Sequence, residues 1–110
     1  MATSNKNLSA YDKEKVINGA DLNIGIVVSE WNGEITSKLC DGAVQTLLEN
    51  NVSKENITIQ KVPGAFELPL GAQFLLKSKK FDGIITVGTV IQGETKHFDF
   101  VCQGATDGIM

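Results

Sequence analysis

Little in this chain marks it for a special class of protein. Its 110 residues include only two prolines, two cysteines, one tryptophan, one tyrosine and one histidine. Cys40 and Cys102 lie far apart and neither sits in a Cys-x-x-Cys pair. That argues against a metal or redox centre and for two reduced, half-buried thiols. Basic residues are not in excess: the formal net charge is −3. The chain therefore carries no electrostatic footprint for nucleic acid and little attraction for anionic membranes. No apolar run approaches the roughly 20 residues that a bilayer-spanning helix needs. The N-terminal stretch, polar and mixed in charge, lacks the apolar centre of a signal peptide. The expected compartment is the cytoplasm.

What is present suits one domain around one core, with 42% hydrophobic and 21% charged residues. Residues 1–20, dominated by Asn, Ser, Lys and Asp without a sustained period, read as a flexible tail. Residues 21–110 then repeat one theme three times. Asn23 to Ser29 is a nearly continuous apolar run, as in a strand buried on both faces. Asn32-Gly33 breaks it. From Glu34 to Asn50, Ile35, Leu39, Ala43 and Leu47 fall four apart with Val44 and Leu48 beside them, which predicts a helix stopped at Asn50-Asn51. Ile57 to Val62 alternates β-branched residues as a second strand. Glu67 to Lys80 reads as a second helix with Leu70, Phe74 and Leu75 apolar. Pro69 belongs in its first turn, and Lys77, Lys79 and Lys80 complement its negative end. Gly83 to Ile91 is a third apolar strand, Gln92 to Lys96 a polar loop, and a third helix begins near His97 or Phe98.

Strand and helix in strict alternation imply an α/β fold with a parallel sheet covered on both faces. Such sheets bind ligands beyond the carboxyl ends of their strands. Three loops share that edge: Glu30-Trp31-Asn32, Val62 to Glu67, and Gln92 to His97. Trp31, Pro63 and His97 fall in them. Three strands are fewer than the four to six usual for such a domain. Gly108-Ile109-Met110 stops in mid-pattern, so a missing C-terminal segment is expected.

Each candidate residue has two readings. Trp31 is either a core side chain or, at the end of a strand, a flat surface for stacking on a planar heterocycle. Glu67 suits the positive end of a helix on electrostatic grounds alone. It also suits a ligand, with the N–H groups of Ala65, Phe66 and Glu67 as donors and its carboxylate accepting from hydroxyls. Gly93-Glu94-Thr95 is either a plain loop or a small anion site made of first-turn N–H groups and a Thr hydroxyl. His97, the only imidazole, is either structural or a proton carrier. The start of a helix disfavours a second positive charge, so a neutral ring acting as a base is the functional expectation. Phe98 and Phe100 read as core.

Two segments carry a resemblance to a known family. Val62-Pro63-Gly64-Ala65-Phe66-Glu67-Leu68-Pro69 and the run from Val87 through Thr89, Val90, Ile91, Gln92, Gly93, Glu94, Thr95, Lys96 and His97 to Val101 are long and uncommon in composition. In sequence, order and separation they resemble the lumazine synthases, and Ile26 to Asn32 matches the family's start. The resemblance covers about residues 22 to 110. It implies a flavodoxin-like three-layer α/β/α fold whose C-terminal strand and helices are missing from this chain. The implied reaction belongs to riboflavin biosynthesis. It condenses 5-amino-6-(D-ribitylamino)uracil with 3,4-dihydroxy-2-butanone 4-phosphate to 6,7-dimethyl-8-ribityllumazine, releasing phosphate and water, without cofactor or metal.

Carried over by position, Trp31 would stack on the pyrimidine. Ala65, Phe66 and Glu67 would hold the uracil substrate and its ribityl chain, and Thr89, Val90 and Ile91 would offer backbone contacts to its ring. Gly93, Glu94 and Thr95 would receive the phosphate, and His97 would transfer protons. The implied partner is the chain itself, as a pentamer or a multiple of pentamers with sites shared between subunits. Gln92 departs from the basic residue found in many members. The family's remaining segment supplies an Arg for phosphate and an aromatic residue for the neighbour's pocket, so a chain ending at Met110 is expected to be poorly active. A non-catalytic ligand-binding or shell-forming module of the same fold is the alternative. A generic flavodoxin-like nucleotide binder fits the architecture but not the Gly-Glu-Thr-x-His segment.

Overall fold

A computed structural model describes residue 7 and residues 9–110; the remainder of the expected tail, residues 1–6 and 8, lies outside the described residues. Three strands and three helices alternate: β1 (Ile24–Ser29), α1 (Gly33–Glu49), β2 (Ile57–Val62), α2 (Leu68–Ser78), β3 (Gly83–Val87) and α3 (His97–Ile109). Short 3-10 turns cover Lys13–Lys15, Lys54–Asn56 and Ala65–Glu67. The sheet is wholly parallel in the order β2-β1-β3, with Ile24 opposite both Ile57 and Gly83. β1 is central, and all six of its residues are buried, as its unbroken apolar run requires.

Alternation along the strands divides the core between two faces. On one, Ile26, Val28 and Val87 meet Cys40 of α1, with Ala43, Val44 and Leu47 beside it. On the other, Val27 and Val62 meet Ala65, Leu68 and Leu75, and Val101 of α3 joins them. Helices thus cover both faces of the sheet, in the three-layer α/β/α arrangement expected. Ile26 and Val27 are wholly buried, each worth about 1.5–3 kcal/mol against exposure.

The faces that the helices present differ from the apolar stripes expected. In α1 the sheet-facing line is Thr36, Cys40, Ala43, Val44 and Leu47, and Ile35, Leu39 and Leu48 are exposed. The start of the helix sets this register. Asn32 stands in the left-handed region at φ 57°, and its carbonyl accepts from the N–H groups of both Ile35 and Thr36. In α2 the buried line is Leu68, Gly71 and Leu75, and Leu70 and Phe74 point outward. Gly71 is the reason. A Cβ there would lie 2.7 Å from Val27 Cγ1 and 2.7 Å from Val62 Cγ1, so the glycine lets the helix backbone rest on the sheet. With Gly71 inward, Leu70 falls roughly a quarter-turn away.

β3 ends at Val87 rather than Ile91. Among the described residues β1 is its sole partner strand, and the ladder closes at Val28 opposite Val87. β1 then turns toward β2, with Glu30 N–H donating to Val62 O at 2.8 Å and Trp31 N–H to Pro63 O at 3.0 Å. Thr89 to Ile91 have no strand to pair with and leave the sheet as a rim loop. At the opposite end, Asn51 (φ 71°) stops α1 in the left-handed conformation that often ends helices. Gly19, buried, donates its N–H to Asn50 O at 2.8 Å, and Asn50 Nδ2 donates to the Tyr11 hydroxyl at 3.1 Å. No helix among the described residues is long and apolar enough to cross a membrane.

Candidate active site

Parallel strands deliver their following loops to one rim, and the three loops that follow β1, β2 and β3 enclose a cavity of about 500 Å³ there. Trp31 comes from the first loop, Ala65, Phe66 and Glu67 from the second, Thr89, Val90 and Ile91 from the third, and His97 from the first residue of α3; all line the same cavity. Gly93, Glu94 and Thr95 do not. They form an exposed loop beside it, where Thr95 Oγ1 accepts the His97 N–H at 3.3 Å. Thr95 therefore satisfies one of the unpaired amides at the start of α3.

The two readings of Trp31 separate cleanly. The indole is 73% exposed and belongs to no core cluster. Its edge lies against Gly64, where a Cβ would approach Trp31 Cδ1 to 3.1 Å and Glu67 Oε2 to 3.2 Å. Most of the indole is open to solvent.

The helix-start reading of Glu67 is seen in the geometry of its turn. Glu67 Oε2 accepts the Gly64 N–H at 2.9 Å, and the Glu67 N–H donates to Gly64 O at 3.2 Å. This reciprocal pair fixes the turn that starts α2. It also corrects one expectation: the amide of Glu67 is engaged within the turn and is not a free donor. The backbone groups of Thr89, Val90 and Ile91 make no hydrogen bond among the described residues, although Thr89 and Val90 are half-buried. Half-buried peptide groups without partners are costly unless water or a ligand meets them. Among the described residues, Glu67 and His97 are the only lining residues with ionisable side chains, and no lysine lines the cavity.

Sequence reasoning missed five lining residues: Asn32, Gly64, Phe98, Phe100 and Val101. Phe98 and Phe100 were expected in the core. Phe98 is half-buried, and Phe100 is 72% exposed at the cavity. The usable signal was helical spacing, because three and four residues after His97 stand Phe100 and Val101, on its own face of α3. With Trp31, Phe66 and Ile91, Phe100 gives the rim four large exposed apolar side chains. Both cysteines are free; Cys40 is buried, and burial, with Asp41 nearby, raises its thiol above the ordinary value despite Lys61.

An open parallel sheet with an aromatic-lined cavity at its carboxyl rim defines an α/β protein of the flavodoxin-like class. Comparison with known proteins narrows this. The family model of 6,7-dimethyl-8-ribityllumazine synthase matches residues 21–110. The 6,7-dimethyl-8-ribityllumazine synthase of Christiangramia forsetii is 56% identical over 99% of this chain and 66% of its own length. Those of Flavobacterium johnsoniae and Parabacteroides distasonis are 53% and 50% identical over 99% of this chain, and over 57% and 68% of theirs. The chain belongs to the 6,7-dimethyl-8-ribityllumazine synthase family, transferases of riboflavin biosynthesis. It spans between 57% and 68% of the length of these three relatives.

Proposed function

We propose that the rim cavity is where this chain takes part in the family's reaction, the condensation of 5-amino-6-(D-ribitylamino)uracil with 3,4-dihydroxy-2-butanone 4-phosphate to 6,7-dimethyl-8-ribityllumazine with loss of phosphate. One observation carries the reading. Residues from three separate loops, Trp31, Ala65 to Glu67 and Thr89 to Ile91, converge with the only histidine on one cavity.

The roles follow from the chemistry each group offers. The exposed indole of Trp31 stacks on the pyrimidine. The peptide groups of Thr89, Val90 and Ile91 meet the polar edge of that ring, supplying the partners that they lack among the described residues. Glu67 Oε2 is held by Gly64, so its other oxygen accepts from ribityl hydroxyls. The amides of Ala65 and Phe66 remain as donors on the same loop. Gly93, Glu94 and Thr95, beside the start of α3, receive the phosphate through backbone N–H groups and the Thr95 hydroxyl, with the Glu94 carboxylate turned away. His97 takes up and returns protons during imine formation, phosphate loss and ring closure. These steps need chiefly proximity and a proton carrier.

The chain has no arginine, its ten basic residues are all lysines, and none of the described ones lines the cavity. A phosphate dianion there calls for a cation from elsewhere. The four exposed apolar side chains at the rim favour a site closed by a second copy of the protein, in a pentamer or a multiple of pentamers. The test is to mix the two substrates with the protein and follow the absorbance of the lumazine product. Product formation that disappears in His97→Ala and persists in a distant surface variant is expected. Parent-level turnover in His97→Ala overturns the assignment.

A further inference from the structure

We propose that Gly104 is a positioning residue for the substrate cavity: by lacking a Cβ it seats the Phe66 ring against α3 and so sets the shape of the wall that Phe66 forms. Gly104 lies two turns after His97 on the same face of α3. A Cβ on Gly104 would stand 3.0 Å from Phe66 Cδ2 and 3.5 Å from Cζ, and closer still to Cε2. The ring therefore lies in a notch that alanine would fill.

What gives way is decided one turn further on. A Cβ on Gly108 would meet Pro69 Cγ at 2.5 Å and Cβ at 2.8 Å. Pro69 is a rigid ring in the first turn of α2, so α3 is already as near to α2 as backbone permits. The Phe66 ring, by contrast, is 59% exposed and free to swing toward solvent. A methyl group at position 104 is accommodated by moving the ring, not the helix. Phe66 lines the cavity, so the change reaches the ligand while most of the core is untouched. Gly104 and Gly108 share one helix and one spacing, yet the first tunes the site and the second holds the fold.

This inference rests on the reading of the cavity as the substrate site, and the experiment keeps the two apart. Parent, Gly104→Ala, Gly108→Ala, Phe66→Ala and the Gly104→Ala/Phe66→Ala double variant are titrated with 6,7-dimethyl-8-ribityllumazine by Trp31 fluorescence. Urea unfolding and the amide NMR signals of Ala65, Phe66 and Glu67 are recorded for each. Gly104→Ala is expected to keep a near-parent unfolding midpoint, shift those three amides and bind on the order of 10- to 100-fold more weakly, the scale of an ångström-sized misplacement. In the Phe66→Ala background the same substitution should do nothing, because the notch is then empty. Gly108→Ala should lower the unfolding midpoint. Equal weakening by Gly104→Ala with and without the Phe66 ring overturns the proposal, as does unchanged binding with unmoved amides. If the parent binds no lumazine, the site assignment fails, and the amide shifts alone decide whether Gly104 seats Phe66.

Discussion

Replacing Gly71 by alanine is expected to destabilise the protein, whereas the same replacement at Gly42 stabilises it, although both glycines lie inside helices. Alanine is the better helix former by about 0.8–1 kcal/mol, and that gain applies at both positions. At Gly42 no atom lies within 4 Å of the added Cβ, so the gain stands. At Gly71 the methyl carbon would sit 2.7 Å from a Cγ of Val27 and of Val62, roughly an ångström inside normal contact on two sides. Val27 is fully buried in the central strand and Val62 is 9% exposed, so neither can move aside cheaply. Overpacking of this kind costs about 1–3 kcal/mol. Less the propensity gain, the net loss is at most about 2 kcal/mol, or a fall in Tm of up to roughly 16 °C for a domain of this size. Thermal unfolding followed by circular dichroism measures both variants. A rise in Tm for Gly71→Ala would show that α2 does not rest on the sheet through this residue. The turn presenting Phe66 and Glu67 would then lose its stated support.

Further predictions concern the cavity and the buried thiol. His97→Ala should cut turnover by about 10²–10⁴-fold while leaving affinity for the ribitylaminouracil nearly intact, measured by steady-state kinetics beside calorimetric titration. Trp31→Ala should weaken binding of the same substrate about 2- to 10-fold in calorimetry through loss of stacking; no change would return the indole to a bystander role. Cys40 should resist iodoacetamide until the protein unfolds, since burial keeps its thiol protonated. The sign of its pH effect follows from a folded-state value above the ordinary 9.0. Its contribution to stability is whole below the unfolded thiol's value and is lost as the pH climbs through the folded one. Urea midpoints should therefore decline on the alkaline side of pH 9 less steeply in Cys40→Ala than in the parent.

The order of elements could be read directly because each segment carries its own signal. The unbroken run around Val27 admits only a strand covered on both faces, and Pro69 can stand only in the first turn of a helix. The loops at the carboxyl ends of parallel strands must share a rim, so the meeting of Trp31, Glu67 and His97 was legible before any coordinate was known. The facing of the helices was not. Counting apolar residues turned Leu70 and Phe74 inward, but a helix also seeks the closest backbone approach, and Gly71 offers it. Nor could local pattern show that Thr36 and Cys40, rather than Ile35 and Leu39, face the sheet, because the left-handed Asn32 sets where the first turn begins.

Residues 21–110 by themselves therefore determined the strand-helix alternation, the family and the set of loops at the rim, all properties of local composition and motif. Tertiary structure alone decided which atoms of those loops are free. It tied the Glu67 amide and one carboxylate oxygen to Gly64, left the peptide groups of Thr89 to Ile91 without a partner among the described residues, and put Phe100 on the cavity instead of in the core. The first of these is a local pairing three residues apart; the other two depend on contacts between residues far apart in the chain, and a one-dimensional pattern does not encode those separations.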